Sequence, residues 1–172
     1  FYTGAVWEEG VLSVTQSWYG IASDGDIFCA IGYSFPLYSN ADYSAISRDG
    51  VKWGIGGTLP SANYWAAITY GNGVFCALSF QSTKCATSPD GITWTEGVID
   101  PGDWYSVAWN GTVFCAVRSG SSTCATSPDG LNWTLRTLPS SASWFSIAWN
   151  GSVFCAIAYS SSTAATSPDG IT

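Results

Sequence analysis

The sequence predicts an all-β protein built from four copies of one repeat, and three observations support this prediction. Asp-Gly pairs begin at residues 49, 90, 129 and 169, so they lie 41, 39 and 40 residues apart. Each repeat contains short apolar segments separated by turn signals such as Asn110-Gly111, which favour antiparallel hairpins. No segment shows the apolar period of a helix. A chain of 172 residues is normally one domain with a sizeable core.

Each repeat has the same four segments in order. A strand headed by tryptophan comes first, and after a turn comes a second segment such as Val113-Phe-Cys-Ala-Val117. This segment is apolar at every position, which indicates a strand covered on both faces. A third strand of small residues leads to the Asp-Gly pair, and the fourth strand follows it. Four antiparallel strands in about 40 residues are typical of one blade of a β-propeller.

The predicted architecture is therefore a single β-propeller domain, 1–172, of about four four-stranded antiparallel blades. The repeats cover approximately 11–57, 58–97, 98–137 and 138–172. Residues 1–10 resemble a displaced fourth strand that completes the last blade and closes the ring, with Trp7 as its tryptophan. A fragment of a larger propeller is the alternative, favoured by the start at Phe1 and the absence of Met. Both interpretations stay open at this point.

The Asp-Gly pairs belong to a turn whose residues have local roles. The Asp side chain can accept hydrogen bonds from turn amides, Gly allows positive φ, and the following Trp covers the sheet edge. We expect a structural role, because these turns lie far apart on a propeller. The residues of this set are Asp49, Gly50, Trp53, Asp90, Gly91, Trp94, Asp129, Gly130, Trp133, Asp169 and Gly170, with Trp7 as the displaced member.

The recurring pattern Ser-x-Asp-Gly-x-x-Trp resembles the Asp-box (BNR-like) repeat, in the variant seen in bacterial and phage proteins. Ser88–Trp94 and Ser127–Trp133 match it well, and Ser47–Trp53 matches more loosely. Asp and Gly are adjacent here, whereas the family pattern usually separates them by one residue. The resemblance covers essentially the whole chain and implies a β-propeller. It does not select a function, since such repeats occur in sialidases, lectins, receptors and phage structural proteins.

The charge balance narrows the choice of partner. Only 5 Lys and Arg stand against 12 Asp and Glu, without a basic cluster, which disfavours nucleic acid and anionic membrane surfaces. No apolar run approaches the ~18 residues of a membrane span, so we expect no membrane insertion. The abundance of Ser, Thr, Gly, Trp and Tyr is typical of extracellular or virion-surface proteins. A protein or a surface glycan is the expected partner.

Six cysteines recur in the second and third strands. Two pairs, Cys76 with Cys85 and Cys115 with Cys124, are each nine residues apart around a turn. Directly opposed positions of an antiparallel pair can accept a disulfide, so we expect two disulfides, with Cys29 and Cys155 free and buried. The alternative is that all six are small core residues. Without His or a Cys-x-x-Cys motif, we expect neither a metal nor another cofactor.

Catalytic groups are not visible in the sequence. The resemblance invites a comparison with sialidases, which hold a substrate carboxylate with three arginines. Arg48, Arg118 and Arg136 occupy non-equivalent places in their repeats, and the absence of His excludes a Ser-His or Cys-His nucleophile. We therefore expect no enzymatic activity.

Binding remains as the expected activity, and aromatic residues at the start of each first strand are the candidate contacts. Their faces could stack on sugar rings, although a tryptophan that recurs in every repeat also suits packing between blades. The candidate residues are Trp18, Trp65, Trp104, Tyr105, Trp144 and Asp103. We predict a non-catalytic structural or binding module of a phage appendage or bacterial exterior, within a larger assembly. The alternatives are a multivalent carbohydrate-binding lectin and a sialidase-like glycosidase fragment.

Overall fold

The computed structural model describes residues 7–33, 42–61 and 63–172, and the regular elements in these ranges are all β-strands. The all-β prediction is confirmed for this part of the chain. No helix within it is long and apolar enough to cross a membrane. The strands are β1 (Ser17–Ser23), β2 (Phe28–Tyr33), β3 (Tyr43–Ser47), β4 (Trp53–Thr58), β5 (Tyr64–Gly71), β6 (Val74–Ser88), β7 (Thr95–Trp109), β8 (Phe114–Arg118), β9 (Ser121–Ser127), β10 (Thr134–Ala142), β11 (Trp144–Trp149), β12 (Phe154–Ala158) and β13 (Ala164–Ser167).

These strands form three antiparallel sheets. Their orders are β1-β2-β3-β4, β10-β9-β8-β7-β6-β5 and β11-β12-β13. The six-stranded sheet contains repeats 2 and 3, because β7 runs without a break from the end of repeat 2 into the start of repeat 3. β6 bends near Gln81, whose φ is +52°, and supplies two strand positions of repeat 2. Sheet boundaries therefore do not coincide with repeat boundaries.

The core lies between successive repeats. Each of its three clusters combines a buried Trp and Phe of one repeat with apolar second-strand residues of the repeat before it. This arrangement explains why the second strands carry no polar face, because neighbouring repeats cover them on both sides. The central members are Trp65 and Phe75 with Cys29 and Ile31, Trp104 and Phe114 with Cys76 and Leu78, and Trp144 and Phe154 with Cys115 and Val117.

The N-terminal segment contains the predicted closing strand, 1–10. Residues 1–6 lie outside the described part of the chain. Trp7 is fully exposed, residues 7–10 belong to no strand, and Val11 forms a parallel bridge with Lys52 of repeat 1. The same parallel bridge joins Val98, four residues after Trp94, to Asn132 of the next repeat, so the bridge does not exclude a closing strand, which stays a prediction. Among the described residues, the sheet of repeat 4 has three strands.

All six cysteines carry free thiols. The prediction of two disulfides, Cys76 with Cys85 and Cys115 with Cys124, is therefore wrong. Cys115 lies opposite Thr126, and Cys124 lies opposite Val117. The two cysteines are therefore diagonal neighbours, whereas the prediction assumed a directly opposed pair. Burial raises the pKa of the Cys29 thiol to about 12, which keeps it protonated and unreactive. The interpretation of cysteine as a small core residue fits the five buried thiols better, whereas Cys155 is exposed and the prediction that it is buried is wrong.

Candidate binding groove

The tryptophans proposed from the sequence as ligand contacts lie mostly in the core. Trp65, Trp104 and Trp144 are 0% exposed, and only Trp18 is half-buried. Each buried indole N–H donates to the carbonyl four residues earlier, which holds the ring between two repeats. The acceptors are Ser61 O at 3.1 Å, Asp100 O at 2.8 Å and Ser140 O at 3.2 Å. These rings support the surface from within and do not form it.

A β-bulge follows the tryptophan in every repeat. The strand register shifts between Trp104 and Ser106, and the other three repeats shift at the same place. Because a bulge re-aims a side chain, Trp can point into the core while the next residue points outward. That next residue is Tyr19, Ala66, Tyr105 or Phe145 in repeats 1 to 4.

Aromatic rings from the bulge positions, from the ends of the second strands and from Tyr64 at the start of β5 form a row, which we call the aromatic ladder. Its members are Tyr19, Tyr33, Tyr64, Phe80, Tyr105, Phe145 and Tyr159. The distances between ring centroids are 5.2 Å for Tyr19–Tyr33, 4.5 Å for Tyr33–Tyr64, 5.0 Å for Phe80–Tyr105, 5.1 Å for Tyr105–Phe145 and 5.8 Å for Phe145–Tyr159. Tyr64 and Phe80 are paired across β5 and β6, which joins the two halves of the row. The ladder therefore runs across all four repeats.

A cavity of about 660 Å³ lies along this ladder. Between the rings it is lined by Ala66, Gln81, Ser106 and Ser146, and no charged side chain belongs to the lining. Ala66 occupies the bulge position that holds an aromatic ring in the other repeats, so the ladder has a notch at repeat 2. The site is a neutral groove with apolar ring faces, tyrosine hydroxyls and a few small polar groups.

Asp103 and Arg118 lie beside the groove. The Asp103 carbonyl accepts a hydrogen bond from the Ser119 amide at 3.1 Å, and the Arg118 guanidinium donates to the Pro101 carbonyl at 2.8 Å. The same guanidinium lies 5.5 Å from the centroid of the Trp104 ring. These contacts shape the rim near Tyr105.

The Asp-Gly turns lie at the strand ends opposite the groove, because each third strand runs from the groove edge to its turn. Asp129 Oδ1 accepts hydrogen bonds from the Leu131 and Asn132 amides at 2.9 and 2.8 Å. Desolvation raises the pKa of Asp129, but hydrogen bonds led by that of the Asn132 amide outweigh it and lower the pKa to about 2. Asp49 and Asp90 make the equivalent bonds, so these carboxylates serve their own turns.

Two turn tryptophans have partners in their own turns, whereas the indole N–H of Trp94 donates to Ser44 Oγ of repeat 1 at 3.2 Å. The indole N–H groups of Trp53 and Trp133 donate to Gly50 O and Gly130 O, at 2.8 and 3.1 Å. A second cavity, of about 630 Å³, lies at this edge beside Asp24, Asp49 and Asp90. The described residues contain no group of three or more His, Cys, Asp or Glu that could hold a metal ion.

Sequence reasoning found Tyr105 and overlooked Tyr33, Phe80 and Tyr159. All three lie two residues after the last apolar residue of the second segment, which is Ile31, Leu78 or Ile157. That shared offset was a usable signal. Alternation along a strand separates Trp104 from Tyr105 in any case, but the bulge that sets the position of Tyr105 at the groove was not visible in the sequence.

Comparison with known proteins identifies the fold of this chain but does not identify a family. No family model matches the chain, and no curated protein sequence matches it. The structure of YCF48 bound to a D1 peptide matches 99% of this chain and 56% of its own, at 16% identity and a TM-score of 0.72. A nidogen/laminin complex matches 87% and 59%, at 13% identity and a TM-score of 0.68. The computationally designed Ika4 protein matches 96% and 100%, at 10% identity and a TM-score of 0.69.

The neighbouring structures are β-propellers, and this chain shares their fold. It spans a little over half the length of the YCF48 and nidogen/laminin chains. The protein is therefore an all-β chain of the β-propeller class, with an aromatic groove at one edge of its sheets.

Proposed function

We propose that this chain is a non-catalytic module that binds an extended peptide segment of a protein partner in the aromatic groove. The observation that carries the proposal is the exposed aromatic ladder along an uncharged cavity of about 660 Å³. Packing within the chain does not account for rings such as Tyr19, Phe145 and Tyr159, which expose much of their surface. Exposed aromatic residues in a row mark a contact surface.

The chemistry of the groove suits a peptide of low charge. Tyr and Phe rings supply large, rigid contact areas at small entropic cost. Gln81, Ser106 and Ser146 offer hydrogen-bonding groups to a peptide backbone. Alanine at position 66 leaves room for one side chain of the ligand between neighbouring rings. Among the similar folds, one structure contains a bound peptide and another is a protein–protein complex, which supports a protein partner.

We also propose that the repeats are about four blades of the Asp-box type, because the Asp-Gly turns share one set of hydrogen bonds. The chain would then act at a phage appendage or bacterial exterior as part of a larger assembly. The low charge content and the abundance of Ser, Thr and Gly support an extracellular or virion-surface location.

Selection from a random 12-residue peptide display library tests the peptide proposal. Synthetic copies of the selected peptides would be titrated by calorimetry against the wild-type chain and variants. We expect Tyr64→Ala and Phe145→Ala each to weaken binding roughly tenfold, as loss of a central aromatic contact does. Trp7→Ala is the matched control, since Trp7 is an exposed aromatic outside the groove. Selected peptides that bind both groove variants as tightly as wild type would contradict the proposal.

A carbohydrate-binding lectin is the second candidate, because tyrosine faces beside small polar groups also suit sugar rings. The bulge residues differ between repeats, as Tyr19, Ala66, Tyr105 and Phe145 show, which favours one composite site over four equal sugar pockets. A glycan array, with Tyr105→Ala as the control, would decide between the two ligands. Glycan binding that disappears in the variant would show that the groove binds a glycan and not a peptide. Turnover of a fluorogenic sialoside would instead support the glycosidase alternative.

A further inference from the structure

Asp103 carries a carboxylate beside the groove that the described part of the chain leaves without a partner. The Ser119 amide donates to the backbone carbonyl of Asp103, but no hydrogen bond or ion pair involves its carboxylate among the described residues. The turn aspartates differ, because Asp90 and Asp129 accept amide hydrogen bonds with their carboxylates. Asp103 is half-buried, so its charge is open to a ligand.

Arg118 lies at the same rim, and its guanidinium is held by other groups. It donates to the Pro101 carbonyl at 2.8 Å and lies 5.5 Å from the centroid of the Trp104 ring. Its aliphatic stem packs against Gly102, where an added Cβ would lie 2.7 Å from Arg118 Cδ. Among the described residues Arg118 forms no ion pair with Asp103, so this neighbour does not neutralise the carboxylate.

The position of Asp103 in its repeat places the side chain at the aromatic ladder. Asp103 directly precedes the buried tryptophan of repeat 3, as Tyr64 does in repeat 2, and Tyr64 is a member of the ladder. Across the sheet Asp103 is paired with Phe80, another member. Because directly paired residues of antiparallel strands point to the same face, the carboxylate lies beside the Phe80 ring.

Repeat 3 leaves space beside this carboxylate. The residue at the end of its second strand is Ser119, whereas the equivalent residues of the other repeats are the ladder rings Tyr33, Phe80 and Tyr159. Two rings remain close, since the centroids of Phe80 and Tyr105 lie 5.0 Å apart and Tyr105 follows Asp103 by two residues. We call the carboxylate, these two rings and the small Ser119 side chain the repeat-3 corner of the groove. Repeats 2 and 4 flank it on either side.

A carboxylate beside aromatic faces suits a cationic side chain of a ligand. A guanidinium can stack on a ring and donate to both oxygens of a carboxylate, whereas an ammonium acts as a point charge. The net charge of the chain is −7, which favours the approach of a positively charged group. The rest of the groove lining is uncharged, so a single cation at this corner satisfies the charge of the site.

We propose that Asp103 binds an arginine side chain of the peptide, with the guanidinium stacked against the rings of Phe80 and Tyr105. This inference rests on the peptide-binding function proposed above and adds the residue that the groove selects. The partner is then an extended segment of low charge that carries an arginine where it crosses repeat 3. Asp103 is the specificity-determining residue, and the aromatic ladder contacts the remainder of the segment.

Parallel selections from the peptide display library give the first test. The chains are wild type, Asp103→Asn and Asp26→Asn. Asp26→Asn is the matched control, because it removes the same charge from an exposed hairpin turn at the opposite edge. We expect arginine to be enriched at one position of the peptides selected by wild type and by Asp26→Asn, and not in those selected by Asp103→Asn. The melting temperature of Asp103→Asn should equal that of wild type, since the carboxylate has no partner to lose.

Calorimetric titration of one wild-type-selected peptide then isolates the pair by a double-mutant cycle. Asp103→Asn should weaken binding of this peptide roughly tenfold, and replacement of its arginine by the uncharged isostere citrulline should weaken binding to wild type by about the same factor. The citrulline peptide should bind wild type and Asp103→Asn within about twofold, because the pair is already broken. Lysine in place of the arginine should also bind more weakly, because an ammonium cannot stack and pair with both oxygens.

The outcomes separate this inference from the peptide-binding function. If peptides depend on Tyr64 and Phe145 but lack a selected arginine, or bind Asp103→Asn as tightly as wild type, the groove binds peptides and the arginine pairing is wrong. A lysine peptide that binds as tightly as the arginine peptide would overturn the guanidinium geometry. If no selected peptide depends on Tyr64 or Phe145, the peptide-binding function fails and this inference fails with it.

Discussion

The two edges of the sheets use the same repeat in opposite ways. At the Asp-Gly edge, Asp90 and Asp129 accept the same two amide hydrogen bonds, within about 0.1 Å of each other. At the groove edge, the bulge position holds Tyr19, Ala66, Tyr105 or Phe145. The turn must keep its residues because the Asp accepts backbone amide hydrogen bonds and the Gly supplies a positive φ. The bulge residue points outward, so the fold leaves it free to vary and recognition can use it.

The largest expected effect concerns the buried phenylalanines, which test how far the repeats depend on one another. Phe114→Ala should lower the free energy of unfolding by about 3–5 kcal/mol, because it leaves a cavity between repeats 2 and 3. Phe28 holds the same strand position in repeat 1 and is 38% exposed. Phe28→Ala is therefore the control and should lower the free energy of unfolding clearly less. Urea denaturation of both variants measures the difference. Equal losses would show that packing between repeats does not set the stability.

The next effect concerns glycine at the Asp-Gly edge. Gly130 has φ of +76°, and a Cβ there would lie 2.7 Å from Thr87 Cγ2 and 3.0 Å from Cys76 Sγ. Gly130→Ala should therefore cost about 2–4 kcal/mol, from backbone strain and from crowding. Gly111 has φ of +97°, and a Cβ added there would have no atom within 4 Å. Gly111→Ala should therefore show the cost of backbone strain alone. Thermal unfolding of the two variants separates the cost of backbone strain from the cost of crowding. Equal melting temperatures would show that crowding does not contribute to the loss.

A smaller effect is expected from the turn carboxylate. Asp129→Asn weakens the charge-assisted bonds to Leu131 and Asn132 and should cost roughly 1–2 kcal/mol at neutral pH. Asp26→Asn, in an exposed hairpin turn, is the control.

The same carboxylate predicts a pH dependence. The folded-state pKa of about 2 lies below the ordinary value of 3.8, so the ionised form is the one that stabilises the fold. The contribution is present above pH of about 4 and is lost as the pH falls toward about 2. Urea unfolding of wild type and Asp129→Asn across this range should show the two free energies converge. A constant difference between them would rule out the carboxylate charge as the cause.

The smallest effect on stability is expected at the groove. Tyr64→Ala should change the free energy of unfolding by less than about 1 kcal/mol, because Tyr64 is 44% exposed and its ring meets the Tyr33 ring edge-on at the surface. A larger loss would mean that the aromatic ladder holds the repeats together and that its exposure does not mark a binding site.

Much of the fold could be predicted from residues that repeat. The Asp-Gly spacing, the apolar second strands and the absence of a helical period indicated antiparallel sheets packed face to face, and the neighbouring structures share this fold. The pairing of Cys115 with Cys124 was wrong because spacing along the chain does not set register. The strands place Cys115 opposite Thr126, two positions from the expected partner.

The sequence by itself determined the local structure of this protein, because turn chemistry and apolar pattern act over a few residues. It determined where Asp129 and Gly130 would form a turn and that strands such as β8 would be buried on both faces. Only the tertiary structure decided which side chains became surface. The bulge placed Tyr105 at the groove while Trp104 stayed inside, and Cys155 is exposed while its equivalent Cys115 is covered by Gly170. Both outcomes depend on neighbouring repeats, and equivalent residues acquire different roles only when the repeats pack.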